Sequence, residues 1–284
     1  MHLTSIERSL EWSSLVSHKK TKMRSILLIV LIYLSCFCNS TQGQKRDIPG
    51  PKIFQYSTLS ALLEGVYDGN LTIGELRKHG DFGMGTFNAL NGEMILLDGK
   101  CYQATSDGKI LTVKDSTHTP FAVALNFSPD TIIKLNRRLS MIELDKYLDR
   151  LITKPNLISA YRIRGSFDSI SIRSVPKQEK PYKRLIEAYK KQGVFNFTKL
   201  EGTLLGFKFP SYLKEVNLDN YHFHFLSNDK TKGGHILNYT ISIGEIEIKT
   251  VQNYELQLPD NAEFNGTKLE NKKKELQLIE GSRK

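Results

Sequence analysis

Asn220-Tyr-His-Phe-His-Phe-Leu-Ser-Asn-Asp-Lys-Thr-Lys-Gly-Gly-His235 is the stretch on which the reading of this chain turns. Side chains alternate along a strand, so His222 and His224 share one face while Tyr221, Phe223 and Phe225 share the other. The polar run 227–234, ending in two glycines, predicts a hairpin loop, and His235 then returns on the neighbouring strand beside the first pair. The pattern predicts an antiparallel sheet with one greasy face and one face carrying imidazoles. Three of the seven histidines in the chain fall within this stretch. Three convergent imidazoles suit a divalent transition metal, most often zinc, and leave positions open for water or substrate. The bland alternative is a chance cluster of surface or packing histidines. A third histidine across a predicted turn favours the metal. Zinc fingers and ribbons are excluded by the lack of Cys-x-x-Cys spacing.

Outward from this hairpin, short strands dominate. Turn signals at Asn91-Gly92, Asp98-Gly99 and Asp107-Gly108 predict a meander of antiparallel strands over 86–127, beginning with a hairpin of 86–90 against 93–97. Alternation predicts further strands over 157–175, 195–209, 221–226, 235–240 and 245–251. Helices are predicted over 57–67, 72–78, 140–151 and 181–192. The third starts on a capping box of Ser140 and Glu143, and the fourth is stopped by Gly193. The glycine-rich Asp81-Phe-Gly-Met-Gly-Thr86 lacks a following Lys-Ser/Thr pair, so it reads as a tight strand entry and not a phosphate loop. The expected class is α+β, with antiparallel sheets predominating and two sheet-based subdomains, 45–155 and 156–284, the latter bearing the zinc histidines.

The 284 residues suffice for one large or two modest domains. A hydrophobic share of 39% and a charged share of 25% are those of a soluble globular protein. The formal net charge of +10 weakens once divided, because residues 1–44 hold five Lys/Arg against two Asp/Glu, leaving +7 for the rest. Beyond Lys272-Lys273-Lys274 the lysines are scattered and no basic stripe alternates with aromatics. Nucleic-acid binding is therefore excluded as an expectation.

Residues 1–44 read as an export signal and leader. Lys19, Lys20, Lys22 and Arg24 precede the apolar run Ile26 to Leu34, which has the length of a secretory core and is too short to span a bilayer. Cleavage is expected after Ser40 or Gly43, and translation starting at Met23 would give a compact signal. A second possibility is a lipid anchor through Cys36, against which Tyr33 fits poorly at the start of a lipobox. Either way the expected location is outside the cytoplasm. The mature chain then holds Cys101 alone, with no internal disulfide, and Cys101 reads as buried filler.

Two charged residues could serve the metal, and alternation leaves both open. Glu93 follows the Asn91-Gly92 turn directly and reads either as an exposed strand-edge acid or as a site carboxylate. Arg173, in Ser169-Ile-Ser-Ile-Arg173, lies opposite in face to Ile170 and Ile172. It reads either as a solvent-facing arginine or as a two-pronged donor for a carboxylate.

Three longer stretches bear on that choice: Gly85-Thr-Phe-Asn-Ala-Leu-Asn-Gly-Glu-Met94, Ile172-Arg-Ser-Val-Pro-Lys-Gln-Glu-Lys-Pro-Tyr182, and Leu200-Glu-Gly-Thr-Leu-Leu-Gly-Phe-Lys-Phe-Pro-Ser-Tyr-Leu213 with the histidine hairpin. In this order, across about residues 52–282, the chain resembles the alpha-acetolactate decarboxylase family. The resemblance implies a zinc lyase that converts (S)-2-acetolactate to (R)-acetoin and carbon dioxide, acting as a homodimer. It implies His222, His224 and His235 as zinc ligands, and Glu93, Arg173 and Thr86 as site residues. It also implies a second glutamate near the C-terminus, best matched by Glu280 with Glu275 as rival. The export signal is a departure from many members, which look cytoplasmic. The chemistry agrees with these residue types. Loss of carbon dioxide leaves an electron pair that a Lewis acid helps the adjacent ketone to accept, and a carboxylic acid must return a proton. A secreted zinc hydrolase using the same histidines is the alternative, and a non-catalytic metal-binding protein the third reading. Neither His-Glu-x-x-His nor a related protease pattern occurs to support the hydrolase.

Overall fold

The computed structural model describes residues 50–269. In chain order these hold β1 (Lys52–Tyr56), α1 (Leu59–Leu63), β2 (Leu71–Thr72), α2 (Ile73–Leu76), β3 (Phe82–Thr86), β4 (Glu93–Leu97), β5 (Lys100–Ala104), β6 (Ile110–Thr112), β7 (His118–Thr119) and β8 (Ala122–Leu125). There follow β9 (Thr131–Leu135), β10 (Leu139–Ser140), α3 (Met141–Leu151), β11 (Ile158–Ser174), α4 (Leu185–Ala188), β12 (Gly193–Lys208), β13 (Tyr221–Ser227), β14 (Gly233–Val251), β15 (Asn253–Gln257) and α5 (Ala262–Gly266). The class is α+β with antiparallel pairing predominating, as expected. The leader 1–44 with Cys36, and the C-terminal Glu275 and Glu280, lie outside the described residues.

One sheet runs in the order β15-β1-β8-β3-β4-β5-β6, with β15 parallel to β1 and the rest antiparallel. β2 and β7 form a small antiparallel pair of their own. The second large sheet joins β9 and β10 to β14, and its central pairing closes on itself. β13 bonds β14, β14 bonds β11, β11 bonds β12, and β12 bonds β13. A closed ring of strands has no free edges within it, and the tight curvature is relieved by bulges between β11 and β14 near Ser166, Phe167 and Ser171.

Period-2 alternation decides which face of each sheet meets the other. From β4, Ile95 and Leu97 enter an apolar cluster that also holds Ala160 of β11, Leu205 and Phe207 of β12, and Leu226 of β13. That cluster lies between the sheets. Met94 and Leu96 point the other way, beneath Ile73 and Leu76 of α2. Tyr221, Phe223 and Phe225 of β13 pack with Leu144 and Leu148 of α3 and with Tyr161, Phe167 and Tyr239, in edge and stacked ring contacts. Burying these rings removes their apolar area from water at about 25 cal/mol per Å², and it turns the histidine face of β13 toward the first sheet.

Several local expectations need correction. The hairpin at Asn91-Gly92 is not a two-residue turn. β3 ends at Thr86, and a 3-10 turn over Asn88–Leu90 intervenes with Ala89 and Leu90 at φ 61° and 51°. This connection is held from outside: Ala89 N–H donates to the Tyr67 carbonyl at 2.8 Å, and Gly92 N–H to that of Val175 at 3.1 Å. The helix expected over 57–67 spans only Leu59–Leu63, because Thr58 caps it and Gly65 follows at φ 90°. The helix expected over 181–192 is cut to Leu185–Ala188 plus a 3-10 turn over Tyr189–Lys191. The residues before it are tied down from the side: Lys180 pairs with Asp68 at 2.7 Å and Glu263 at 2.6 Å, and Tyr182 Oη donates to Asp68 at 3.0 Å. The strands expected over 235–240 and 245–251 are one strand, β14. Helix α3 matches its expected bounds and its capping box, Ser140 N–H donating to the Glu143 carboxylate at 2.8 Å.

Candidate functional site

His222 and His224 share the inner face of β13 with Leu226. His235 stands opposite His224 in the β13–β14 register and opposite Arg173 in the β11–β14 register. One closed ring of strands thus brings four of the sequence-selected residues together. The glycines expected in the hairpin loop instead open β14, where they permit close approach. Gly234 lies at φ 153°, and a Cβ there would sit 2.6 Å from the Arg173 carbonyl oxygen. Across β13, a Cβ on Gly206 would sit 1.9 Å from the His222 carbonyl oxygen, so only glycine lets β12 support the histidine strand at this distance.

One ligand nitrogen from each of the three histidines lies within 4.8 Å of the others. His222 Nε2 and His235 Nδ1 are 3.0 Å apart, near the roughly 3.3 Å that two nitrogens span on a tetrahedral zinc with bonds of about 2.0–2.1 Å. His224 is 1% exposed, and its Nδ1 meets the Met94 carbonyl at 2.8 Å. A carbonyl accepts only, so Nδ1 carries the proton and Nε2 keeps its lone pair. That Nε2 is buried and without a hydrogen-bond partner. A buried, unsatisfied imidazole lone pair among two more imidazoles is what a metal ion would satisfy, so the donor set fits one. Burial also pushes the His224 pKa down to about 4, against the pull of the Met94 bond, which keeps the ring in the neutral form a metal needs.

The facing sheet supplies Glu93 and Thr86, paired across β3 and β4. Glu93 takes the inner face with Ile95, and its Oε2 comes to 3.4 Å from His224 Nε2. Glu93 is 8% exposed as a residue, and burial pushes its pKa up to about 7, with the charge of Arg173 pulling it down. The strand-edge acid of the bland reading is therefore a buried one. Thr86 Oγ1 donates to the Gly92 carbonyl at 2.7 Å, fixing the residue before Glu93. Arg173 is 3% exposed, not solvent-facing; its Nη1 donates to Gln192 Oε1 at 3.1 Å and its guanidinium lies 4.0 Å above the Tyr189 ring.

These residues line one cavity of about 50 Å³, walled on its apolar side by Leu59, Leu62, Leu185 and Leu218. On the measure by which one water needs about 10–15 Å³, it has room for a small organic molecule. Tyr189, Gln192 and Asn217 are the polar neighbours that sequence reasoning missed. Tyr189 and Gln192 fall in the segment read as plain helix. Asn217 lines the cavity with its amide already engaged, donating to Gln55 Oε1 at 2.7 Å and accepting from Leu218 N–H at 2.7 Å. No periodic signal marks any of them.

Comparison with known proteins converges on one family. The family profile described as alpha-acetolactate decarboxylase matches residues 53–271. An alpha-acetolactate decarboxylase of Methylococcus capsulatus is 41% identical over 239 residues, covering 82% of this chain and 91% of that protein. One from Bacillus subtilis is 38% identical over 244 residues, covering 85% and 95%. A crystal structure of the Bacillus subtilis alpha-acetolactate decarboxylase superposes with a TM-score of 0.80 at 37% identity, covering 81% of this chain and all of that one. On fold, length and sequence together, the chain belongs to the alpha-acetolactate decarboxylase family and is a carboxy-lyase.

Proposed function

We propose that this chain converts (S)-2-acetolactate to (R)-acetoin and carbon dioxide, using zinc held by His222, His224 and His235. The observation that supports this most directly is the meeting of three imidazoles, one carboxyl and one guanidinium in a single small cavity. Three imidazoles suit zinc, and zinc when bound supplies a Lewis acid that draws electron density from substrate oxygens.

The chain's own residues do the remainder. Acetolactate carries a carboxylate, a hydroxyl and a ketone on adjacent carbons. When the bond to the carboxylate carbon breaks, carbon dioxide leaves, the electron pair moves toward the ketone oxygen, and a proton must finally reach carbon. Arg173 orients the carboxylate before it leaves, with a fork fixed by Gln192 and Tyr189. Glu93 is the only carboxyl lining the cavity among the described residues, so it is assigned to hold and deliver the proton. Thr86 positions Glu93 through its bond to Gly92. Glu280 is carried as the second acid by the resemblance. The leucine walls exclude bulk water, so the proton arrives from one side and acetoin forms with one hand.

The same reading takes residues 1–44 as an export signal, with Cys36 as the alternative lipid anchor, and the mature chain as a homodimer. The test of function is direct. Purified protein is mixed with racemic 2-acetolactate while carbon dioxide and the two acetoin enantiomers are followed. Carbon dioxide with one acetoin enantiomer is expected. Release of neither, in protein carrying one metal per chain, would overturn the reading.

A further inference from the structure

Arginines buried in this protein are not all treated alike. Arg162, with its side chain 14% exposed, is neutralised by Glu247 at 2.5 Å and Asp98 at 2.9 Å. Arg173 is more deeply buried, yet among the described residues no carboxylate lies within 4.0 Å of its guanidinium. Glu93 feels its charge from beyond that distance. Its direct holders are neutral: the amide oxygen of Gln192 at 3.1 Å and the face of the Tyr189 ring at 4.0 Å. Its Nε is buried with no hydrogen-bond partner. A buried charge without a counter-ion is costly, and here the open donor and the cavity lie on the same residue.

The hairpin register explains how both holders arrive. β11 and β12 remain paired as far as Ser174 and Gly193, so residues 175–192 form a loop whose ends meet. Gln192, the last residue before β12, therefore returns next to Arg173. Tyr189 is tied to it by the 3-10 turn, Gln192 N–H donating to the Tyr189 carbonyl at 3.1 Å.

We infer that Tyr189 and Gln192 are positioning residues that hold Arg173 through neutral contacts, keeping its charge available for the carboxylate of the substrate. This deepens the function proposed above and rests on it. A carboxylate in place of either holder would fix the guanidinium equally well in space but would compete with the substrate for its charge. Amide and aromatic face do the first without the second.

The experiment uses the full chain and two readouts: KM and kcat with 2-acetolactate, and calorimetric binding of 2-hydroxyisobutyrate, a hydroxy acid that has no ketone and does not react. Gln192→Glu is isosteric at a half-buried position. It is expected to raise both KM and the dissociation constant of 2-hydroxyisobutyrate by about 10–100-fold, with kcat changed less than about threefold. Tyr189→Phe keeps the ring face and is expected to raise both constants by less than about threefold, whereas Tyr189→Leu raises both by about tenfold. In an Arg173→Ala background Gln192→Glu is expected to add nothing. The positioning role is overturned if Gln192→Glu binds the hydroxy acid as the parent does, if Tyr189→Phe is as damaging as Tyr189→Leu, or if Gln192→Glu keeps its full effect without Arg173. If Arg173→Ala alone binds and turns over normally, the underlying reading of the site fails, and this inference with it.

Discussion

The Glu93 carboxyl and the His224 imidazole come from different sheets and meet with 3.4 Å between Oε2 and Nε2. Both side chains are at least nine-tenths buried, and no stretch of local sequence joins them. Their meeting follows from two independent alternations, Glu93-Ile95-Leu97 on β4 and His222-His224-Leu226 on β13, whose inner faces share one apolar cluster.

The metal should depend on all three histidines. Alanine at His222, His224 or His235 removes a ligand outright, and the loss of affinity should exceed the 10–100-fold typical of outer partners, passing about 100-fold. Metal analysis after dialysis against a chelator checks this, together with recovery of turnover on adding zinc. A variant that kept full occupancy would remove that histidine from the ligand set.

Division of labour between acid and fork is separable. Glu93→Gln keeps size but loses the titratable proton, so kcat should fall by about 10²–10⁴ while metal content changes little. Arg173→Lys keeps charge but loses the fork, and both KM and kcat should worsen. Glu280→Gln against Glu275→Gln assigns the second acid, an effect at Glu275 alone moving it upstream. Parent-like turnover in both Glu93→Gln and Arg173→Lys would end the proposed roles even with the metal in place.

Gly206 should be intolerant of a side chain. With a Cβ 1.9 Å from the His222 carbonyl oxygen, Gly206→Ala must push β13 away from β12. The expected cost is about 1–3 kcal/mol of stability, with weakened metal binding, since the displaced strand carries two of the proposed ligands. Denaturant unfolding and metal titration measure both. An unchanged midpoint with unchanged affinity would contradict this close packing of β12 on β13.

Cys101 should be inert in the folded protein. It is 4% exposed, and burial pushes its thiol up to about 12. The unfolded thiol titrates near about 8.5. Below that pH the group is protonated in both states, and stability is unaffected. As pH rises from there toward 12, the unfolded chain gains a thiolate that the folded chain cannot form, so stability falls. A thiol reagent at pH 8 should leave Cys101 unmodified until denaturant is added. Rapid labelling of the native protein at Cys101 would show that the site opens.

The leader should be dispensable for chemistry. A chain starting at Lys45 is expected to match the full chain in kcat and solubility, because residues 1–44 have the composition of an export signal. Loss of solubility or turnover on truncation would make that segment part of the fold.

What the sequence by itself determined was whatever depends on short range. Alternation is local, so the shared face of His222 and His224, the opposite face of Phe223 and Phe225, and the separation of Arg173 from Ile172 were all legible. So was the capping box of Ser140 and Glu143, which needs only its own turn. Tertiary structure alone decided the rest, because it depends on elements far apart in the chain. The contact of Glu93 with His224 needs two sheets to pack. The closure of β14 onto both β13 and β11 needs Gly234 to let backbones approach. The shortening of the helix before Tyr189 needs Asp68 and Glu263 to hold Lys180, and the return of Gln192 to Arg173 needs β11 and β12 to stay paired to the end of their hairpin. Residue type and period state which face a side chain takes, whereas only packing states what that face meets.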